Sequence, residues 1–202
     1  AMMAGGGARV SRAEVTEAAV EDSMRATIQR SRGVVLAVYS PQNIDRLVTL
    51  YRAAVRAGRD FVMDLYAASM AAATGRPTVP QASWDHVRVY LPRVQRRRVI
   101  DAGAFDRTDA VRGERIYPEE LAVRADELVL TFRASMMHEL ADAACLRDAT
   151  CIWSLWPGYL DQPAGLKLKS WLKSQGIPLE GHHASGHASV ADLQRLVAAL
   201  VP

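Results

Sequence analysis

A chain of 202 residues, half of them hydrophobic and 23% charged, is long enough to bury a core and too apolar to be disordered. No run approaches the 18 consecutive apolar residues of a membrane-spanning helix, and residues 1–7 lack the basic and apolar regions of a secretion signal. The formal net charge is +3, with 22 arginines and only three lysines (Lys167, Lys169 and Lys173), a balance as compatible with nucleic acid as with a GC-rich coding genome.

The elements follow in chain order. Ser11-Arg12-Ala13-Glu14 has the spacing of a capping box, with Val15, Ala18, Ala19 and Val20 as the apolar stripe of a helix that Gly33 stops. Val34 to Tyr39 is an apolar run of strand length. Pro41 opens a second helix, carrying Ile44, Leu47, Val48, Tyr51 and Val55 at helical spacing, and Gly58 ends it. Asp60 to Leu65 is a strand, Ala67 to Ala73 a short helix, Val87 to Leu91 a strand and Arg93 to Gly103 a helix. Gly103 to Tyr117 is charged and reads as a loose surface segment. Beyond it, Pro118 starts a helix, Glu127 to Phe132 is a strand, and Ser135 caps a helix running to about Ala144. Ala149 to Ser154 is a strand, Gly165 to Ser174 a helix, and a last helix from about Val190 to Leu200 follows Pro178 to His183.

Strands that are apolar on both faces and alternate with helices predict a single domain over residues 1–202. Its class is α/β, an open, mostly parallel sheet flanked by helices on both faces, Rossmann- or flavodoxin-like. Cys145 and Cys151 form no disulfide framework, so they read as small buried hydrophobes in a reducing, cytoplasmic setting.

In such a sheet, ligands bind beyond the carboxyl ends of the strands. His182-His183-Ala184-Ser185-Gly186-His187-Ala188-Ser189 falls there, between a strand and a helix that Ser189 starts. The free N–H groups and positive dipole end of a helix N-terminus favour an anion such as phosphate. Gly186 lets backbone approach that anion, Ser185 donates a hydrogen bond, and His183 and His187 donate bonds or carry a proton near neutral pH. The same segment also reads as an ordinary turn with exposed histidines. A zinc site fits it less well, because adjacent extended residues such as His182 and His183 point to opposite faces.

Arg93, Arg96, Arg97 and Arg98, with Arg88 before them, form the densest basic stretch. It is a solvated helix face or a patch for a phosphate backbone. Trp153, Trp156 and Tyr159 flank Pro157-Gly158 after a strand, as core aromatics or as a platform for a base. Gly5-Gly6-Gly7 is no P-loop, since no strand precedes it and no Lys-Ser/Thr pair follows.

The stretch His183 to Ser189, followed by Asp192-Leu193 and an apolar helix, resembles the histidine-serine-glycine-histidine motif of ribonuclease J and, more broadly, of the β-CASP branch of the metallo-β-lactamase superfamily. Tyr39 to Arg46, then Ala57-Gly58-Arg59, is similar to that family's first βα unit, and Ile152 to Leu160 resembles a segment of its bacterial exonuclease-like members. The resemblance implies a nuclease that hydrolyses phosphodiesters, of RNA ahead of DNA, with two zinc ions held in a metallo-β-lactamase domain. The His-x-His-x-Asp-His motif that supplies those ligands is missing from this sequence. The family's acidic motif would precede Ala1 and its last metal-binding histidine would follow Pro202.

By this resemblance the chain is the β-CASP insertion, partnered by its own metallo-β-lactamase domain and by nucleic acid, away from membranes, with an oligomer possible. It holds no metal itself. The resemblance assigns His187 to catalysis near the scissile phosphate and His183, Ser185, Gly186 and Ser189 to gripping phosphate, with Asn43 and Arg46 matching the same role. Two other readings stand beside it. One is a freestanding α/β module for a small phosphorylated ligand, and the other is a non-catalytic interaction domain.

Overall fold

The computed structural model describes residues 16–183 and 190–200. Among them the strands are β1 (Val35–Val38), β2 (Asp60–Asp64), β3 (Val87–Tyr90), β4 (Arg115–Ile116), β5 (Leu128–Thr131), β6 (Thr150–Trp153) and β7 (Leu179–Gly181). The helices are α1 (Glu17–Arg30), α2 (Ile44–Arg56), α3 (Leu65–Ala73), α4 (Arg93–Ala102), α5 (Asp106–Asp109), α6 (Pro118–Val123), α7 (Met137–Asp142), α8 (Pro163–Ser174) and α9 (Val190–Leu200). The strands form one sheet in the order β4-β3-β2-β5-β1-β6-β7, every neighbouring pair parallel. The open, parallel α/β architecture expected from the sequence is therefore present.

Alternation along the strands divides the core in two. Val35, Ala37, Phe61, Met63, Val87, Val89, Val129 and Ile152 face α1, α2 and α3. Leu36, Val62, Tyr90, Leu128, Leu130, Cys151 and Trp153 face α6, α7 and α8. Each fully buried leucine or phenylalanine contributes about 1.5–3 kcal/mol. Because the residues of β1, β2, β5 and β6 are apolar toward both layers, these strands suit the sheet centre, and right-handed crossovers decide which layer each helix joins.

Chain direction and layer are linked. From β1 and β2 the chain moves toward the β4 edge through α2 and α3, on the first layer. From β5 and β6 it moves toward the β7 edge through α7 and α8, on the second. The neighbours β2, β5, β1 and β6 thus send their following loops alternately to opposite layers. A crevice opens above their carboxyl ends, the usual ligand position in such sheets.

Several expectations change in detail. The proposed capping box at residues 11–14 lies outside the described residues, and α1 is capped by Thr16, whose Oγ1 accepts from the Ala19 N–H at 3.2 Å. Asn43 caps α2 two residues after Pro41, and α7 begins after a 3-10 turn at Ala134–Met136, so Ser135 is not its cap. The segment 103–117 is more ordered than its charge predicts: it holds α5, a second 3-10 turn at Arg112–Glu114 and edge strand β4, whose Ile116 is buried. Two-residue edge strands carry too little periodicity to be read from sequence.

Gly33 does not stop α1, which ends at Arg30. It is needed for a close approach instead. A Cβ there would stand 2.1 Å from the Arg147 carbonyl oxygen and 2.8 Å from the Asp148 carbonyl carbon, both backbone atoms. Gly33 N–H donates to the Asp148 carbonyl at 3.0 Å, joining the entry of β1 to that of β6. Arg59 secures the same corner, donating to the carbonyls of Gly33 (2.7 Å) and Ser31. Gly33→Ala is expected to cost about 3 kcal/mol and to lower the Tm by about 6–12 °C, whereas Gly113→Ala, with open space around it, stays within about 0.5 kcal/mol. Thermal unfolding followed by circular dichroism checks both.

Candidate site at the carboxyl edge of the sheet

The histidine segment leaves β7 at the carboxyl edge, and a buried arginine holds its first residue. Arg46 lies on the inward face of α2 and is only 1% exposed. Its Nη1 donates to Ser154 Oγ, just past β6, and at 3.1 Å to the carbonyl of His182. Its Nη2 donates to Glu17 Oε1 of α1 at 2.7 Å. Ser154 Oγ also donates to the His182 carbonyl, at 2.6 Å, and His182 N–H donates to the Trp153 carbonyl at 2.9 Å. The expectation that Arg46 grips substrate phosphate is therefore corrected. Both Nη groups are directed at protein because the side chain is on the buried face of α2, and the buried Nε has no hydrogen-bond partner among the described residues. Its role is to fix the base of the histidine segment.

The His182 side chain is turned toward α1. Its Nδ1 meets Ser23 Oγ, and its Nε2 lies 2.9 Å from Thr27 Oγ1 and 3.6 Å from Glu180 Oε2. Thr27 Oγ1 donates to Glu180 Oε2 at 2.9 Å and accepts from Arg30 Nη2 at 2.9 Å. With that single hydroxyl proton given to Glu180, the network is satisfied when Nε2 carries the imidazole proton and Nδ1 accepts from Ser23. Burial lowers the pKa of His182, opposed by Glu180 and reinforced by Arg30 and Arg46. The neutral ring is the form this site holds.

Of the residues the sequence assigns to the site, Asn43 is exposed at the N-terminus of α2, where its Oδ1 accepts from the Arg46 N–H at 3.0 Å. His183 is half-buried at the end of the described segment. Ser185, Gly186, His187 and Ser189 lie outside the described residues. The structure brings Asn43, Arg46 and the start of the histidine segment to one end of the sheet. Glu17, Ser154 and His182, which complete that arrangement, carry no motif that spacing reveals.

A second polar cluster occupies the carboxyl ends of β2 and β5. Asp64 is fully buried at the start of α3. Its Oδ1 accepts from the Ala67 N–H at 2.7 Å, and its Oδ2 accepts from Gln95 Nε2 at 2.6 Å and from Arg133 Nε. The Arg133 guanidinium also covers the Tyr66 ring, 5.0 Å from its centroid, and the Tyr66 hydroxyl accepts from Gln42 Nε2 at 3.2 Å. Asp64 was legible as an acidic residue ending an apolar strand just before a helix, a position suited to an N-cap.

The basic stretch divides. Arg88 turns to Asp60 and Glu114, an ion-pair group that also takes in Arg124. On α4, Arg97 pairs with Asp101 at 2.9 Å, while Arg96 and Arg98 are exposed and form no ion pair among the described residues. The N-terminus of α4 is already filled by the Glu139 carboxylate, which accepts from the Arg93 N–H at 2.9 Å and from the Tyr90 hydroxyl.

The aromatic group divides too. Trp153 is core, but Trp156 and Tyr159 are 56% and 47% exposed, edge to face at 5.4 Å, and the Trp156 indole covers Gly158. Burial pushes the Cys145 thiol up to about 11 and Cys151 up to about 12, which removes their reactivity at neutral pH. Among the described residues no three His, Cys, Asp or Glu side chains converge to hold a metal ion. What this edge shows is a polar network satisfied within the protein, beside an exposed aromatic pair.

Arg46→Met is expected to destabilise the protein by about 2 kcal/mol in urea unfolding, less than for a wholly buried pair because Glu17 is half-exposed. The His182 shift gives a second outcome. A base whose folded pKa is depressed adds stability above its unfolded pKa, near 6.5, and that stability is lost as pH falls toward the folded value. The Tm should therefore drop between about pH 7.5 and about pH 5, with a smaller drop in His182→Gln. Equal drops in both proteins would contradict the assignment. Against known proteins, no family model matches the chain and no curated protein matches it.

Proposed function

We propose that this chain is the β-CASP unit of a cytoplasmic, metal-dependent nuclease, acting on RNA ahead of DNA, and that it forms one wall of the nucleic-acid cleft. One observation carries the reading: the histidine segment departs from the carboxyl edge of the sheet with its first carbonyl held by both Arg46 and Ser154. Such double fixation suits a segment whose donors must meet a phosphate at a set position. The N-terminus of α2, capped by Asn43, and the exposed Trp156–Tyr159 pair follow β1 and β6 at the same end, where in this reading a helix dipole and a stacking surface would meet the strand.

The described residues do not fit a zinc site, so the two zinc ions implied by the family resemblance have no ligands among them. The work assigned to this chain is to hold and orient the strand. His183, Ser185 and the Gly186 backbone hydrogen-bond phosphoryl oxygens, and His187 stands next to the scissile phosphate, where an imidazolium can donate a proton to the leaving oxygen. Leu196, Val197 and Leu200 of α9 are exposed. They provide an apolar surface that the metallo-β-lactamase domain would cover in this reading.

Binding of labelled single-stranded RNA tests the proposal. With about three phosphate contacts, affinity should fall about 20-fold between 50 and 200 mM salt. His187→Ala should reduce turnover about 100-fold in the protein that carries the metal centre. Turnover unaltered by His187→Ala, or RNA binding indifferent to salt, would refute the reading. Tight binding of a sugar phosphate with no dependence on strand length would favour a freestanding small-ligand module.

A further inference from the structure

A cavity of about 640 Å³ is lined by residues of α3, α4 and α5 and by Arg133 and Ser135, just past β5. Its lining includes three arginines, Arg98, Arg107 and Arg133, and no carboxylate. Arg98 and Arg107 are exposed and form no ion pair among the described residues. Arg133 is held in place by Asp64 and by the face of Tyr66. Since Asp64 is fully buried behind Arg133, its charge balances that guanidinium alone, and Arg98 and Arg107 leave the cavity cationic. The apolar part of the lining is Leu65 of α3 with Val94 and Val99, which share α4 with Arg98.

We infer that this cavity binds a nucleoside phosphate, its phosphate on Arg98 and Arg107 and its base against the apolar side chains. The size is that of a small-ligand pocket, and a lining that combines guanidinium groups with apolar side chains matches a molecule with one dianionic and one flat, weakly polar end. Inorganic phosphate would leave the apolar side chains uncovered, and a sugar phosphate would set hydroxyls against them. The ligand is either a free nucleotide or one unit of a strand. From the carboxyl end of β2 to that of β7 there are four strand-to-strand steps, about 19 Å, a gap that a strand of several nucleotides bridges. The inference does not depend on the nuclease reading, because none of its residues belongs to the histidine segment.

Titration calorimetry of this chain with adenosine monophosphate, adenosine and inorganic phosphate tests it. The monophosphate should bind, and the other two at least about 10-fold more weakly. The double variant Arg98→Ala/Arg107→Ala should weaken the monophosphate by about 100-fold. Both side chains are exposed, so the variant should fold. Ala102→Phe, which adds a ring to the lining and leaves every charge in place, should weaken binding at least about 10-fold. Displacement of the monophosphate by single-stranded RNA identifies the pocket as a subsite of the strand, and its absence identifies a site for the free nucleotide. Both results support the assignment. No binding, equal binding of inorganic phosphate, or binding unmoved by the double variant would overturn it. Loss of RNA binding in His187→Ala with the monophosphate unaffected would separate the fate of this pocket from that of the histidine segment.

Discussion

Arg46 is a cation inside an α/β core, and much of the carboxyl edge is arranged around it. Left without partners, a guanidinium among the leucines of α2 would be among the most costly groups a domain could bury. Its surroundings answer with a carboxylate from α1, a hydroxyl from the end of β6 and a carbonyl from the end of β7. Each belongs to a different element, so satisfying one charge fixes three elements relative to α2. The histidine segment begins at the third of these contacts, and its starting position is inherited from an electrostatic requirement in the core.

The arginine-rich composition resolves into groups with different jobs. Arg46 and Arg59 are internal, and their donors reach the backbone carbonyls of His182, Gly33 and Ser31. Arg88 and Arg124 neutralise Asp60 at the start of β2. Arg96, Arg98 and Arg107 face solvent without a carboxylate partner among the described residues. Arg32, Arg52 and Arg76 are likewise exposed without an ion pair among the described residues, and what sets this last group apart is that it gathers along α4 and α5. A planar fork that stays charged when desolvated explains why arginine and not lysine serves the first group. Composition alone did not distinguish them.

The sheet was legible because its central strands are apolar toward two layers and are punctuated by Gly58, Gly103 and Pro118, whose conformational roles are local. Strand β4 and helix α5 were not, because two- and four-residue elements are held by what they pack against and carry almost no periodicity. The site was half legible. Asn43 and the histidine segment stand at positions that chain order sends to the carboxyl edge of a parallel sheet. The contacts of Arg46 were hidden, since Glu17, Ser154 and His182 come together only once α1, β6 and β7 are packed. A buried polar residue inside a helix cannot be told from an exposed one when its neighbours at helical spacing include both leucine and threonine, as Thr49 and Leu50 do here.

The Arg46 contacts also have a mechanical meaning. Glu17 lies in the first described turn of the chain and His182 is the first residue of the histidine segment, yet one guanidinium holds both. Tension applied at these two points would load the Arg46 clasp before it reached the hydrogen bonds between β1, β5 and β2. The clasp and the Ser23 and Thr27 contacts to His182 would part as a short series of polar bonds while the sheet behind them stayed whole. Seen this way, α1 and the start of the histidine segment close on a single buckle, and a force that separates these two points acts first on the base of that segment.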